Sequence, residues 1–284
     1  MEIELVLAYI FYFIAASASP LQRRWLAKHK NPENTGQIYF AFQVAFITVV
    51  LSLLLPIFKP FYLEGNIFHL IGLSLISGVF GAGYFIGSYI AQKHVEAGIS
   101  TLVSNIYTPI TIVLATLFLN EKLTIIQIFG TILLLVGMVI VSQKHRIGKF
   151  KFDKYFMLMV LSGVVLGISL TAERALQKMT GFSAGTMMSW WAQCLFLGIT
   201  AWIMHSKSEY TKKDIAITGG LRFLQSLSWV ILVFVVGNLS LVSAITTFKV
   251  VLMFIAGAIF LNEHEDLPRK ILGSIIALIG LLII

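Results

Sequence analysis

Long apolar runs separated by short polar breaks fill this chain from end to end. Residues 68–91 contain no Asp, Glu, Lys or Arg, and neither do residues 123–143. About 20 apolar residues cross a bilayer as a helix, so each run is long enough for one crossing. Breaks fall at turn and charge signals such as Asn31-Pro32-Glu33-Asn34, Glu64-Gly65-Asn66 and Asn120-Glu121-Lys122. The pattern predicts an all-α membrane protein with ten transmembrane helices. Their approximate limits are 4–27, 35–57, 67–92, 98–119, 123–142, 154–178, 183–205, 213–236, 241–261 and 267–284. No loop is long enough to hold a second soluble domain.

The tetrapeptide Phe-Leu-Asn-Glu occurs twice, at residues 118–121 and 260–263, an offset of 142. Gly130 and Gly137 are mirrored by Gly273 and Gly280, with one extra residue in the second hairpin. Seven residues is about two helical turns, so each pair lies on one helix face, where small residues let backbones approach. Earlier in each half the offset is 150: Arg24, Lys28 and Gln43 match Arg174, Lys178 and Gln193. These matches, in order, predict a duplicated five-helix unit, residues 1–146 and 147–284. An odd number of spans per half inverts the second copy, a build known in secondary transporters with the substrate site at mid-membrane. The simplest role of Glu121 and Glu263 is structural: a carboxylate there accepts from free N–H groups at the next helix start.

Composition agrees with the pattern. The chain is 58% hydrophobic and 12% charged, against roughly 25% charged in a soluble domain. Its formal charge of +8 fits basic cytoplasmic loops, and no nucleic-acid partner is needed to explain it. Loops after the odd-numbered spans hold fifteen basic residues: Arg23, Arg24, Lys28, Lys30, Lys93, Lys144, Arg146, Lys149, Lys151, Lys154, Lys207, Lys212, Lys213, Arg269 and Lys270. The other side holds Lys59, Lys122 and Lys178. That asymmetry predicts both termini outside the cytoplasm. The first span has an acidic rather than a basic lead-in and no clear small-residue cleavage site, so it is expected to be retained. A single cysteine, Cys194, excludes an intrachain disulfide and a cysteine metal cluster. No HExxH, GxSxG or Walker loop is present, so no catalytic residue, cofactor or metal is expected.

Ten spans, two halves, and an apolar span ending in Asn-Glu before a Gly-rich span resemble the drug/metabolite transporter superfamily, EamA type. Residues 109–121, from Pro109 to Glu121, are the most specific piece: a proline in span 4 followed twelve residues later by glutamate. The resemblance implies a central cavity opening alternately to each side, with spans 5 and 10 at the periphery of an integral protein of a bacterial or archaeal cell membrane. Three departures stand out. The family usually has both termini in the cytoplasm. Gln43 and Gln193 stand where an early arginine of span 2 is common. Val251 stands where Pro109 predicts a proline.

Intramembrane polar residues mark candidate sites. Lys249 is about eight residues into span 9, roughly 12 Å deep, and its mirror in the first half is Tyr107. An ammonium and a phenol across a cavity suit an anionic substrate. Lys249 is also similar in position to a lysine of nucleotide-sugar and triose-phosphate transporters of the same superfamily. The competing reading pairs Lys249 with an internal carboxylate such as Glu173. Arg222, Gln225 and Trp229 share one helix face and suit anion or ring binding; alternatively Arg222 reaches the interface. Glu173 is the candidate for proton coupling, because a carboxylate in a low-dielectric setting can exchange its proton; an interfacial ion pair is the alternative. Arg174 beside it takes a different partner.

Gln43 and Gln193 bind substrate or join helices. Tyr84 lies in a Gly-rich span in which Gly83 and Gly87 form a packing pair, and Trp190, Trp191 and Trp202 fit lipid or interface contact. Span 1 lacks a central carboxylate, which argues against a lipophilic-cation exporter. The reading is a secondary transporter of a small polar metabolite, anionic by preference, with the lipid bilayer and a coupling proton as partners and a monomer or weak dimer as its state. Amino acids and related zwitterions are the alternative substrates. A lipid-modifying enzyme and a scaffold are the alternatives in kind.

Overall fold

The computed structural model describes residues 2–30, 33–95, 97–142, 154–205, 207, 209–261 and 267–283. Glu263, the basic residues at 144, 146, 149 and 151, and the junction between the expected halves lie outside the described residues. Among the described residues every regular element is a helix. They are α1 (Glu2–Lys30), α2 (Asn34–Ser52), α3 (Leu55–Phe58), α4 (Ile67–Gln92), α5 (Ala97–Ser104), α6 (Tyr107–Leu114), α7 (Ile125–Ser142), α8 (Lys154–Ile203), α9 (Lys212–Val236), α10 (Leu239–Thr246), α11 (Lys249–Leu261) and α12 (Leu267–Ile283). A π-helical turn, Ala115–Leu119, extends α6. Seven helical stretches are long and apolar enough to cross a membrane, with a shorter apolar helix at Ile125–Gly137.

The helix α8 is not one rod. Fifty residues would run about 75 Å, more than twice the hydrocarbon thickness. Gly181 breaks it at φ 81°, a conformation that costs glycine little. The arms 154–180 and 182–203 fold against each other: Gln177 Nε2 donates to Thr186 Oγ1 at 3.0 Å. A Cβ on Gly185 would lie 2.5 Å from the Gln177 nitrogen, so the arms touch backbone to backbone.

Two stretches expected to be single helices are interrupted, at residues 105–106 and 247–248. Pro109 accounts for the first, since it has no N–H for the carbonyl of Asn105; that carbonyl instead accepts from Thr108 N at 3.0 Å. The second break has no proline. There, Thr246 and Thr247 hydroxyls bond back to the carbonyls of Val242 (2.6 Å) and Ser243 (2.9 Å), a pattern that bends helices. The two breaks meet. Asn105 Nδ2 donates to Thr247 Oγ1 at 2.9 Å, and the Thr108 and Thr247 hydroxyls lie 2.9 Å apart.

Glu121 does not serve the helix that follows it. Thr124 and Gln127 cap α7 reciprocally, at 3.0 and 3.3 Å. The Glu121 carboxylate instead accepts from Leu239 N at the start of α10 (2.6 Å). It also pairs with Arg174 Nε at 3.0 Å and Lys178 Nζ at 3.4 Å. So the first Phe-Leu-Asn-Glu copy ties α6 to α8 and α10 at the end of the bundle that carries the N-terminus. At the other end, Arg24 Nη1 donates to the carbonyls of Gln92 (2.6 Å) and Lys93 (2.8 Å). Arg23 and Arg24 are therefore part of α1, not of a loop.

The helices α7 and α12 pack on their glycines. A Cβ on Gly137 would lie 2.6 Å from the Gly273 oxygen, and one on Gly280 would lie 2.7 Å from the Gly130 oxygen. The Gly-rich α4 packs on the second arm of α8 through Gly78 and Gly81. Added Cβ atoms there would meet Ala192 at 2.8 Å and Gln193 at 2.5 Å. Of the expected pair Gly83 and Gly87, only Gly87 is tight, against Ser162; Gly83 has its nearest neighbour at 3.8 Å.

Candidate functional site

The helix breaks put side chains from four helices around one point. Lys249 opens α11 just past its break, and Tyr107 opens α6 just past the other. The Lys249 ammonium donates to Tyr107 Oη at 3.1 Å and to Tyr12 Oη at 3.3 Å, and lies 4.7 Å from the Tyr107 ring centroid. Trp229 on α9 covers both phenols, at ring distances of 5.8 Å to Tyr12 and 6.0 Å to Tyr107. Tyr12 carries no sequence signal, because a tyrosine in an apolar run reads as packing.

These groups line a cavity of about 80 Å³ that also takes in Tyr84, Glu173, Trp190, Gln193, Arg222 and Gln225. A water needs 10–15 Å³, so the cavity has room for a few waters. Apolar clusters flank it. One includes Leu55, Ala115, Phe182 and Leu239 toward the N-terminal end of the bundle. The other includes Leu26, Phe40, Tyr89 and Tyr210 toward the opposite end.

The expected face of α9 is present: Arg222, Gln225 and Trp229 all line the cavity, and Arg222 Nη1 donates to Gln225 Oε1 at 3.3 Å. The Arg222 guanidinium lies 4.7 Å from the Phe85 ring and 5.9 Å from the Tyr84 ring. Glu173 is 4% exposed. One of its oxygens accepts from Ser189 Oγ at 3.0 Å, and the other has no hydrogen-bond partner. Ser189 is held in turn by Ser77 (2.6 Å) and Gln193 (3.0 Å), so Gln193 both joins helices and lines the cavity.

Other expectations come out differently. Lys249 takes phenols rather than Glu173 as its partners, and among the described residues Glu173 makes no ion pair. Gln43 stands apart, in a separate groove with Phe42, Phe46, Ile47, Lys212 and Ile215. Trp190 is 6% exposed and lines the cavity, where a lipid contact was expected. Trp202 is 79% exposed, as a lipid-facing residue is. Among the described residues no group of three His, Cys, Asp or Glu is placed to hold a metal ion.

The electrostatic balance is one-sided. Buried ions normally need a counter-ion or full hydrogen bonding. Among the described residues neither Lys249 nor Arg222 pairs with a carboxylate; phenols, an amide and ring faces hold them.

The model of the EamA-like transporter family matches residues 3–143. No curated protein matches the chain significantly. A solved structure titled "Crystal structure of protein" is similar with a TM-score of 0.67 at 12% identity, over 99% of this chain and 96% of that one; at that identity the likeness concerns the fold alone.

Proposed function

Since the chain belongs, through residues 3–143, to the EamA-like transporter family of integral membrane proteins, we propose that it is a secondary active transporter of a small anionic metabolite. The observation that carries this reading is Lys249. It is a buried ammonium held by Tyr12 and Tyr107, facing a cavity that also holds Arg222. An anion entering that cavity supplies the charge the wall lacks. Lys249, Tyr107, Tyr84, Arg222, Gln225, Trp229 and Gln193 contact the substrate. Gln43, outside the cavity, serves helix packing.

The scaffold is ten crossings in two inverted five-helix halves, residues 1–146 and 147–284, and the halves alternate access. Three contacts support this. Asn105 touches Thr247 and Tyr107 touches Lys249, each pair 142 residues apart, which is the offset of the sequence repeat. Residues near a two-fold axis meet their own counterparts. The glycine contacts of α7 and α12 are reciprocal in the same sense. Broken helices lining a central site are the usual device of such repeats. Glu173 couples a proton through its unpartnered oxygen.

The test is transport by purified wild type and Lys249→Gln, reconstituted and supplied with labelled anions, zwitterions and neutral metabolites. Loss confined to anions supports the reading. Unchanged transport of every active substrate makes Lys249 a packing residue. A second reading, a zwitterion carrier, rests on the unpartnered Glu173 oxygen in the same cavity, an acceptor placed for a substrate ammonium; zwitterion uptake that needs both Lys249 and Glu173 favours it.

A further inference from the structure

The Lys249 cavity is not the only place where, among the described residues, this bundle buries a cation without an ion pair. Arg23 lies on α1 and is 5% exposed. Its guanidinium sits 4.5 Å from the centroid of the Tyr89 ring. Its Nε and Nη1 have no hydrogen-bond partner, and its neutral neighbours are the Tyr84 and Tyr89 hydroxyls. Arg222, on α9, leaves its own Nε unpartnered beside the Phe85 and Tyr84 rings of α4. The α4 segment Tyr84, Phe85 and Tyr89 thus carries both guanidiniums. Arg222, Arg23 and Lys249 all act electrostatically on the Tyr84 hydroxyl. Tyr84 lines the cavity; Arg23 does not.

The unpartnered nitrogens here only donate, and the acceptors beside Arg23 are the neutral phenol oxygens of Tyr84 and Tyr89. What the cluster lacks is an anionic acceptor. A buried guanidinium without one is costly, and its planar fork matches a carboxylate or phosphate group. Three cations stand against one carboxylate, Glu173, which leaves two positive charges to be balanced.

We infer that Arg23 and Arg222, with Tyr84 and Tyr89, form a second anion subsite adjoining the Lys249 cavity, and that the substrate is a small dianion, a dicarboxylate or a phosphate monoester. This rests on the anion reading above and adds a second charged end to the substrate. Arg23 binds one oxyanion group, and Lys249 binds the other end of the molecule.

The experiment is calorimetric binding to the purified full-length protein in nanodiscs of neutral lipid. The probes are malonate and methyl phosphate, both dianions at about pH 8, with acetate as the monoanion and malonamide as the neutral control. In the wild type at least one dianion is expected to bind at least about tenfold more tightly than acetate, a difference of about 1.4 kcal/mol. Arg23→Gln is expected to remove that preference. Whichever dianion binds more tightly decides between dicarboxylate and phosphate monoester.

Dianions that bind the wild type no more tightly than acetate overturn the inference, and so does an Arg23→Gln protein that keeps the preference. The wild-type comparison stands even if Arg23→Gln does not fold. In that event Arg23→Lys, which keeps the charge but loses the fork, is expected to weaken the dianion at least about threefold; an unchanged affinity overturns the proposal. Acetate binding without a dianion preference sinks this inference and leaves the anion reading intact. Transport of a zwitterion with no anion binding sinks both.

Discussion

Tyr107 accepts a hydrogen bond from Lys249 at 3.1 Å across 142 residues of chain, the same separation that relates the two copies of Phe-Leu-Asn-Glu. The pair joins the two helix breaks, and it puts unlike side chains at matching positions of the proposed halves. On the proposed repeat, a symmetric scaffold would thereby carry an asymmetric site: one counterpart is a cation and the other its acceptor.

That pairing predicts a coupling energy. Hydrogen bonds to charged groups contribute about 1.5–3 kcal/mol. Tyr107→Phe is expected to lower thermal stability in detergent by an amount in that range, because the ammonium keeps only Tyr12. Combined with Lys249→Met, the same change should cost little more than Lys249→Met alone. Strict additivity of the two substitutions in a double-mutant cycle rules the coupling out.

Glu121 and its partners separate a buried ion pair from an exposed one. Arg174 is 8% exposed and Lys178 43% in their side chains. Glu121→Gln leaves the Arg174 charge buried and unpaired, with an expected cost of about 3–5 kcal/mol. Lys178→Met removes a solvated partner and should cost less than about 1 kcal/mol. Equal losses in thermal unfolding of the two variants would contradict the assignment of Glu121 to Arg174 and α10.

The glycine contacts between α7 and α12 predict a steric effect with an internal control. Gly137→Ala and Gly280→Ala each place a methyl 2.5–2.6 Å from backbone atoms of the opposite helix, which must move apart. A loss of about 1–3 kcal/mol is expected for such overpacking. Gly83→Ala, with its nearest neighbour at 3.8 Å, should be close to neutral. Because alanine is the better helix former at both positions, a Gly83→Ala variant as unstable as Gly137→Ala would show that the contact between α7 and α12 is not what the substitution measures.

Proton coupling through Glu173 is tested by its isostere. Glu173→Gln keeps an acceptor for Ser189 and loses the exchangeable charge. Uptake driven by a pH gradient across proteoliposomes is expected to vanish, while substrate exchange at equal pH continues. Gradient-driven uptake that survives the substitution takes Glu173 out of the coupling step.

The basic loops predict orientation. A reporter fused before Met1 should be labelled from outside intact cells by an impermeant reagent. Labelling only after permeabilisation reverses the proposed topology and agrees with the family's usual one.

Much of the fold was legible in the sequence. Stretches of apolar residues mark the described helices closely, and the glycine pairs of residues 130, 137, 273 and 280 do lie at a helix contact. The lining of the candidate site was legible where its chemistry is expensive in a membrane. Lys249, Arg222 and Glu173 stand out for that reason, and Gln225 and Trp229 follow from helical spacing. Tyr12 and Trp190 were not legible as lining residues, and neither was the burial of Arg23. The first two read as ordinary apolar residues, and Arg23 read as a loop charge because nothing local shows that α1 continues to Lys30 with that side chain turned inward. Gln43 misled for the opposite reason: an amide inside a span says that it needs a partner, not which side of the helix holds one.

What the sequence by itself determined is therefore what depends on near neighbours: apolar length, turn residues, and the period that puts Arg222, Gln225 and Trp229 on one face. These are sums over adjacent residues. Only the tertiary structure decided the partners. Lys249 meets Tyr12 across 237 residues, and Glu121 caps a helix 118 residues away rather than its own successor. A buried polar group takes its acceptor from whichever helix packs against it, and no local pattern encodes which helix that is.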